Sequence, residues 1–332
     1  MVEEVKTRTK RSQRGKPKGN VVITDDDIRI FCLLDDHRLL RTSHIAKLTG
    51  RSKHRINKRL RILKDHGYIG WINPKLERFH KPNPEDVHAL ANGGAKVVGE
   101  YRNKPIRHRI NELNQAYKAH GVSHQLLVSD FLVSVRAACE VSDQHEYIPF
   151  EEIFSSFPAE RKKSKNPLII KAPTRRTGVE EIETTLPDAM FGIRLLDQPA
   201  DRNRAIYFLE ADANTMVQGA RSKPDWSGVA KKYHTYYHFN RLKLHEEQFG
   251  IRGFRVLYLT TGEDLRAKNA VGATRDIHKD KAGNPIGWRQ WLFSYKSHIL
   301  RDHPGHDILT APWMNGRWHD TAGDDSYSTL VS

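Results

Sequence analysis

Apolar residues at helical spacing divide the first part of the chain into short amphipathic segments. Thr24 precedes three aspartates, a pattern typical of a helix cap followed by an acidic first turn. A second segment opens at Thr42 and ends at Gly50, and a third follows Ser52 and runs to about residue 66. The third segment carries one apolar seam, made of Ile56, Leu60 and Leu63. The pattern predicts three successive helices, the last with a polar outer face.

A hairpin signal follows the third predicted helix. Tyr68–Ile72 is predicted to be a strand, residues 73–75 a turn, and Val87–Ala91 a returning strand. Two glycines then lead into a small helix that ends near Tyr101. This order resembles the winged helix-turn-helix fold over residues 21–104, and the resemblance implies that the third helix enters the major groove of DNA.

The rest of the chain alternates between helical and strand patterns. We predict a helix over residues 123–141 and another over 228–249, with strands over 145–154, 182–193, 205–212 and 254–261. Residues 105–121 form a polar connector, and residues 322–332 are expected to fray. The predicted fold class is therefore α+β with two domains, residues 21–104 and residues 122–321.

The charge balance indicates the class of partner. The 332 residues carry 55 Lys and Arg against 40 Asp and Glu, a formal charge of +15, which points to nucleic acid before membrane. No apolar run approaches the ~20 residues of a membrane span, and no apolar segment follows the basic N-terminus as in a secretory signal. Two cysteines are too few for a disulfide framework, so we expect a cytoplasmic protein.

Positive charge is concentrated near the N-terminus. Residues 1–20 are rich in Lys and Arg and contain nothing that could form a core, so a disordered basic tail is expected. The approach to the third predicted helix and its polar face carry the cations that we expect to contact duplex DNA: Arg51, Lys53, Arg55, Lys58, Arg59 and Arg61.

Two predicted strands carry acids that could act together. The strand over 205–212 is apolar as far as Leu209 and then ends in Glu210 and Asp212, whose side chains point to the same face because they are two residues apart. Asp188, within the predicted strand over 182–193, would complete an oxygen cage for a hard divalent cation, Mg²⁺ or Mn²⁺. The alternative is that the three acids are structural and paired with nearby lysines.

The acidic pattern resembles a known nuclease superfamily. Pro187-Asp188 followed by Glu210-Ala211-Asp212 is similar to the half-motifs of the PD-(D/E)XK, or restriction-endonuclease-like, superfamily. Asp212 stands where that superfamily usually has lysine. The all-acid variant more closely resembles the replication-relaxation family of plasmid and mobile-element proteins.

This resemblance implies roles for further residues. It implies an α/β restriction-endonuclease-like second domain. In that domain Lys231 or Lys232, on the helix after the acids, would supply the positive charge that the superfamily usually has at the position of Asp212. His124, near the start of the helix over 123–141, resembles a histidine common at this place in the family, although a hydrogen-bonded structural histidine is the alternative.

Two functions fit the sequence. The first is a metal-dependent DNA endonuclease, similar to a plasmid mobilisation relaxase that nicks one strand at a transfer origin during conjugation. Its partners would be double-stranded DNA of the plasmid origin region and other mobilisation or replication proteins. The second is a non-catalytic DNA-binding protein in plasmid replication or transcription, in which the acids serve only structure.

The tyrosines and the histidines of the predicted helix over 228–249 each allow two interpretations. Tyr233, Tyr236 and Tyr237 could supply a covalent nucleophile, but water is favoured because aromatic residues on such a helix usually pack. His234 and His238 have the spacing of a zinc pair, and ordinary surface histidines are the favoured interpretation.

Overall fold

The computed structural model describes residues 15, 17, 19–72, 85–103, 119–175, 180–213, 228–275, 289–300, 307–318 and 326–331. These residues form two compact units, Met1–Val133 and Ser134–Ser332. Almost all of the predicted basic tail, the turn at residues 73–75 and residues 105–118 of the connector lie outside the described residues. No helix within those ranges is long and apolar enough to cross a membrane. The mixed α+β class is confirmed.

The first unit combines helices with a small antiparallel sheet of order β1-β3-β2. Its elements are α1 (Asp25–His37), β1 (Leu40–Arg41), α2 (Thr42–Thr49), α3 (Lys53–Asp65), β2 (Ile69–Ile72), β3 (Val87–Leu90), α4 (Asn92–Arg102) and the part of α5 (Ala119–Glu140) up to Val133, since the second unit begins at Ser134. The predicted helices and the two longer strands are confirmed. The two-residue β1 was not predicted, because so short a strand has no periodicity.

The apolar seam of α3 faces the core of the first unit. Ile56, Leu60 and Leu63 are buried and pack in one cluster with residues of α1 and α2. Val122 and Leu126 of α5 belong to a second cluster with Leu39 and with Ile72 and Val87 of the sheet. We expected α5 to open the second domain. Its first turns instead belong to the first unit, because their apolar side chains pack against the apolar residues of the small sheet.

The second unit is built on a seven-stranded sheet of order β12-β11-β10-β9-β8-β7-β4, with a separate hairpin β5-β6. The strands are β4 (His145–Ile148), β5 (Ile170–Arg175), β6 (Glu180–Thr185), β7 (Ala189–Leu195), β8 (Arg204–Asp212), β9 (Arg255–Thr260), β10 (Trp291–Tyr295), β11 (Trp313–Asn315) and β12 (Tyr327–Ser328). The helices are α6 (Phe150–Ser155), α7 (Ala159–Lys163), α8 (Val229–Arg241), α9 (Leu244–Phe249), α10 (Glu263–Arg275) and α11 (Lys296–Ile299).

The centre of this sheet changes from antiparallel to parallel at β8. β7 runs antiparallel to β4 and to β8, whereas β9 runs parallel to β8 and to β10. Residues of α8, α9 and α10 share one core with Phe208 of β8, Val256 of β9 and Trp291 of β10. One face of the central strands is thus closed by these helices, and the acids at the end of β8 lie in that layer.

Three predicted elements of this unit are interrupted. The strand over 182–193 divides into β6 and β7, with Pro187 between them because proline has no N–H for the ladder. The strand over 145–154 ends before Pro149, which caps α6. The helix over 228–249 breaks at Lys243, which adopts a left-handed conformation with φ of 53° between α8 and α9.

The expectation of a frayed C-terminus is wrong for residues 326–331. β12 pairs with β11 in antiparallel register, and Leu330 is buried. The hydroxyl of Tyr207 donates a hydrogen bond to the carbonyl oxygen of Leu330, and Arg255 donates to that of Thr329. Pairing and burial therefore fix this segment on the second unit.

Candidate functional site

One face of α3 presents cations to solvent. Arg55, Lys58 and Arg61 are exposed, and no ion pair joins any of them to another residue in the described part of the chain. Lys58 and Arg61 are three residues apart and so lie on the same side of the helix, opposite the seam. Ser52 caps the helix by accepting a hydrogen bond from the backbone N–H of Arg55 at 3.4 Å. The cap and the seam hold this cationic face in a fixed orientation.

The other three predicted DNA contacts are already ion-paired. The Arg51 guanidinium pairs with Asp26, and the Nζ of Lys53 lies 2.6 Å from a carboxylate oxygen of Glu85. These two pairs remain partly exposed, so their cations still contribute to the surface potential.

Arg59 is half-buried and its guanidinium is turned toward Asp27, away from the exposed cationic face. Its Nε donates to Oδ1 of Asp27 at 2.8 Å, and its terminal nitrogen donates to the carbonyl oxygen of Val22 at 2.7 Å. Asp27 is 1% exposed. Burial tends to raise the pKa of Asp27, but hydrogen bonds from Arg59 and Thr24 more than offset it, so the pKa is lowered. The predicted DNA contact of Arg59 stays a prediction, and in this structure its guanidinium neutralises the buried carboxylate of Asp27.

We expect Arg59→Met to lower the free energy of unfolding by about 3 kcal/mol at neutral pH, because it leaves Asp27 buried without its cation. Lys58→Met, the matched control on the exposed face, should change it by less than about 0.5 kcal/mol. Urea unfolding of both variants measures the difference. Since the pKa of Asp27 is lowered below 3.8, the contribution of the pair is present above pH 3.8 and is lost as the pH falls further. Equal stabilities for the two variants would contradict the structural role of Arg59.

Asp188 lies immediately before β7, not within a strand as predicted. Its backbone N–H donates to the carbonyl oxygen of Leu209 at 3.0 Å, and its Oδ2 accepts from the backbone N–H of Ala211 at 2.8 Å. The carboxylate thus continues the β7–β8 ladder beyond the last paired residue. This places the half-buried side chain next to the end of β8, where the other two acids lie.

Glu210 is fully buried and bound by two side chains of α8. Its Oε2 accepts from the Nζ of Lys232, and its Oε1 accepts from the hydroxyl of Tyr236 at 2.7 Å. Burial raises the pKa of Glu210, the Asp188 charge adds to that, and Lys232 opposes it.

Lys232 is the cation of this cluster. Burial alone would lower the pKa of Lys232, but the charges of Glu210, Asp188 and Asp212 outweigh it and raise that pKa. All three acids therefore act on one ammonium group. Lys231, the other predicted candidate, is exposed and has no such role.

Asp212 is bound by Tyr258 and by Arg266, a residue that the sequence did not predict to belong to the site. Its Oδ2 accepts from the hydroxyl of Tyr258 at 2.7 Å and from the Nε of Arg266 at 2.7 Å, and the carboxylate is fully buried. Burial tends to lower the pKa of Arg266, but the bond to Asp212 more than offsets it and the pKa is raised. Arg266 lies on α10, 54 residues beyond Asp212, and no local pattern marks it.

In this structure the acids of the predicted magnesium or manganese site are paired with protein side chains. Carboxylate oxygens of Glu210 and Asp212 are occupied by Lys232 and Arg266, which supply the compensating charge that the ion was expected to supply. Across the described ranges, no group of three or more His, Cys, Asp or Glu side chains is placed to hold a metal ion. The three-acid site for Mg²⁺ or Mn²⁺ therefore stays a prediction, and in this structure Lys232 and Arg266 neutralise the acids.

The remaining predicted residues fall elsewhere. His124 is half-buried on α5 in the first unit, whereas the acids belong to the second. Tyr233 and Tyr236 are buried, and burial raises the pKa of each hydroxyl well above its usual value. A tyrosine nucleophile must reach DNA and lose its proton, so these two residues are unsuited to that role.

Comparison with known proteins identifies the family. A family model described as Replication-relaxation matches residues 31–250, about two thirds of the chain. Neither a curated protein nor a solved structure matches. The matched segment contains α3, the three acids and Lys232, and it ends before Arg266. The chain belongs to the replication-relaxation family.

Proposed function

We propose that this protein binds double-stranded plasmid DNA through the cationic face of α3, as part of replication-related DNA processing. One observation carries the proposal: Arg55, Lys58 and Arg61 are exposed on a capped helix, with no ion pair among the described residues. Three unneutralised cations on one helix suit contacts to phosphates or to guanine edges. The exposed Asn57, beside them on α3, has the amide that reads adenine.

The element order of the first unit supports this use of α3. A winged helix places a recognition helix after a turn and follows it with an antiparallel hairpin. Here α2 ends at Gly50 in the left-handed conformation, α3 follows within a few residues, and β2 and β3 pair antiparallel after it. β1 pairs with β3 and completes the small sheet.

The test is titration of the full-length protein into fluorescent duplexes, one from the origin region of the parent plasmid and one of scrambled sequence. We expect submicromolar to micromolar binding at low salt that weakens linearly in a plot of log affinity against log salt. Tighter binding of the origin duplex would show that the protein discriminates between sequences. Failure to bind either duplex at about 50 mM salt would refute the proposal.

Nicking of one DNA strand by the second unit is the second candidate function. The order α5, β4, β7, β8, α8, β9, with β9 parallel to β8, is the order expected of a PD-(D/E)XK core. Asp188 and Glu210 lie at the adjoining ends of β7 and β8, and Lys232 lies on the following helix. A divalent ion, when bound, would stabilise charge on the attacked phosphate. Lys232 and Arg266 form ion pairs with Glu210 and Asp212. This observation favours a non-catalytic DNA-binding protein over a nicking enzyme.

If the second unit nicks DNA, Asp188→Asn will abolish nicking and leave DNA affinity unchanged, because it removes one acid charge while keeping the shape of the side chain. Conversion of supercoiled plasmid to open circles, with Mg²⁺ or Mn²⁺, measures it. Asp197→Asn, at an exposed acid of the same unit, is the matched control and should nick like wild type. Undiminished nicking by Asp188→Asn would exclude the site, and no nicking by wild type would leave the protein a binder.

A further inference from the structure

The chain that precedes α1 contacts α3 at two positions. The backbone N–H of Gly15 donates a hydrogen bond to Oδ1 of Asp65, the last residue of α3, at 2.9 Å. Further along, the guanidinium of Arg59 donates to the carbonyl oxygen of Val22 at 2.7 Å. Ile23 then packs against the core of the first unit. The contact at Gly15 is therefore the first point at which the chain meets α3, among the residues that the structure describes.

The contact between Gly15 and Asp65 is close. A Cβ atom added to Gly15 would lie 2.9 Å from Oδ1 of Asp65 and 3.0 Å from its Cγ and Oδ2. Real Cβ atoms are hardly ever found that near another heavy atom, so a side chain at this position would displace the carboxylate. Glycine lets the backbone approach Asp65 and donate its N–H without such a displacement.

Asp65 lies at the end of the cationic face of α3. It is four residues beyond Arg61 and seven beyond Lys58, and these spacings place the three side chains on one side of the helix. An aspartate in the last turn opposes the helix dipole, and an acid on a DNA-facing surface repels phosphates. The hydrogen bond from Gly15 gives this carboxylate a role that neither the helix nor a phosphate contact would give it.

The sequence before Gly15 is rich in cations. Residues 1–14 lie outside the described residues, and they contain two acids against five basic residues: Lys6, Arg8, Lys10, Arg11 and Arg14. Arg14 is bonded directly to Gly15, and Arg11 is four residues from it, at most about 14 Å of extended chain. Both arginines are therefore tethered at the edge of the surface that α3 presents to DNA.

We propose that Asp65 anchors the N-terminal segment through Gly15, so that Arg11 and Arg14 bind phosphates of the same duplex, beside the groove that α3 enters. The inference rests on the proposed binding of DNA through α3. In homeodomains, a segment N-terminal to the helices reaches the minor groove next to the recognition helix. The anchor limits the space that the two arginines sample, which raises their effective concentration at the DNA once α3 is bound.

Two arginine substitutions test the DNA contact by fluorescence anisotropy of the full-length protein with a duplex. Arg11→Ala with Arg14→Ala should weaken binding about tenfold and make the plot of log affinity against log salt shallower by about 1.8. Lys96→Ala with Arg202→Ala removes the same charge from exposed positions elsewhere and should leave the slope unchanged. Wild-type affinity and slope in the Arg11, Arg14 variant would overturn the inference. Weaker binding on loss of the exposed cations of α3 would in that case still support the proposed function, whereas no binding by wild type would refute both.

A substitution that changes no charge tests the anchor. Gly15→Pro removes the N–H that Asp65 accepts, and it should weaken binding about threefold to tenfold. Adding Arg11→Ala and Arg14→Ala to Gly15→Pro should then cost less affinity than it does in wild type, because arginines without the anchor contribute less. Ser12→Pro leaves the N–H of Gly15 in place and is the matched control, which should bind like wild type. Unchanged affinity in Gly15→Pro, or an undiminished effect of the two arginine substitutions within it, would overturn the anchor.

Discussion

Lys232→Met will lower the free energy of unfolding by about 3–5 kcal/mol at pH 7, the largest stability change that we expect from a single substitution in this protein. The lysine is the cation on Oε2 of fully buried Glu210, and its pKa is raised by all three acids. Removing it leaves a buried carboxylate that must either remain charged without a partner or take up a proton. Both outcomes cost stability at neutral pH.

The loss of stability should depend on pH in a particular direction. The pKa of Glu210 is raised above 4.5, so the folded protein binds this proton more tightly than the unfolded chain does. Its contribution to stability is therefore full below pH 4.5 and is lost as the pH rises through the folded pKa. Lys232 lowers the pKa of Glu210, so Glu210 should titrate at a higher pH in Lys232→Met than in wild type. The stability difference between the two proteins should be small near pH 4.5 and should grow toward pH 7.

A double-mutant cycle isolates the pair. Glu210→Gln combined with Lys232→Met should recover most of the stability that Lys232→Met removes, because no buried charge is left unpaired. Lys231→Met, one residue away on the same helix and exposed, is the control and should change stability by less than about 0.5 kcal/mol. Urea unfolding at several pH values measures all of these proteins. Equal effects of the two lysine substitutions would contradict the assignment of Lys232 as the counter-ion.

The second large effect concerns DNA affinity. Lys58→Ala combined with Arg61→Ala should weaken binding to the origin duplex about tenfold to a hundredfold, because α3 then has two fewer exposed cations to place against the DNA. The charge-matched control is Lys96→Ala with Arg202→Ala, whose side chains are 80% and 81% exposed on other parts of the chain. Fluorescence anisotropy at fixed salt compares the two. A similar decrease in affinity in both variants would show that only net charge matters and that α3 has no special place in binding.

The sequence predicted elements best where the signals are local. The caps and glycines around α1 to α3 lie within a few residues of the apolar positions that they delimit, so the three helices were predictable. Breaks inside long apolar runs were less visible, since the turn at Pro187 and the left-handed Lys243 interrupt patterns that otherwise continue. Pairing of β12 with β11 depends on residues outside the C-terminal segment, so no pattern within that segment predicts a strand.

Charge partners were the least predictable part of the site. The proximity of Glu210 and Asp212 follows from strand periodicity, but their neutralisation depends on which side chains α8 and α10 bring to them. The choice between Lys231 and Lys232 depends on the rotation of α8 about its axis. Arg59 looked like its exposed neighbours, since nothing near it in sequence shows that Asp27 lies buried beside it.

The salt dependence of DNA binding tests the central claim most directly, because it reports how many cations replace counter-ions on the phosphates. In a plot of log affinity against log salt, the slope should become shallower by about 0.9 for each phosphate that the protein no longer neutralises. Lys58→Ala with Arg61→Ala should therefore reduce the slope by about 1.8 relative to wild type if both side chains bind phosphates. The Lys96→Ala, Arg202→Ala control should leave the slope unchanged. An unchanged slope and affinity in the α3 variant would place the DNA interface away from α3 and contradict the proposed function.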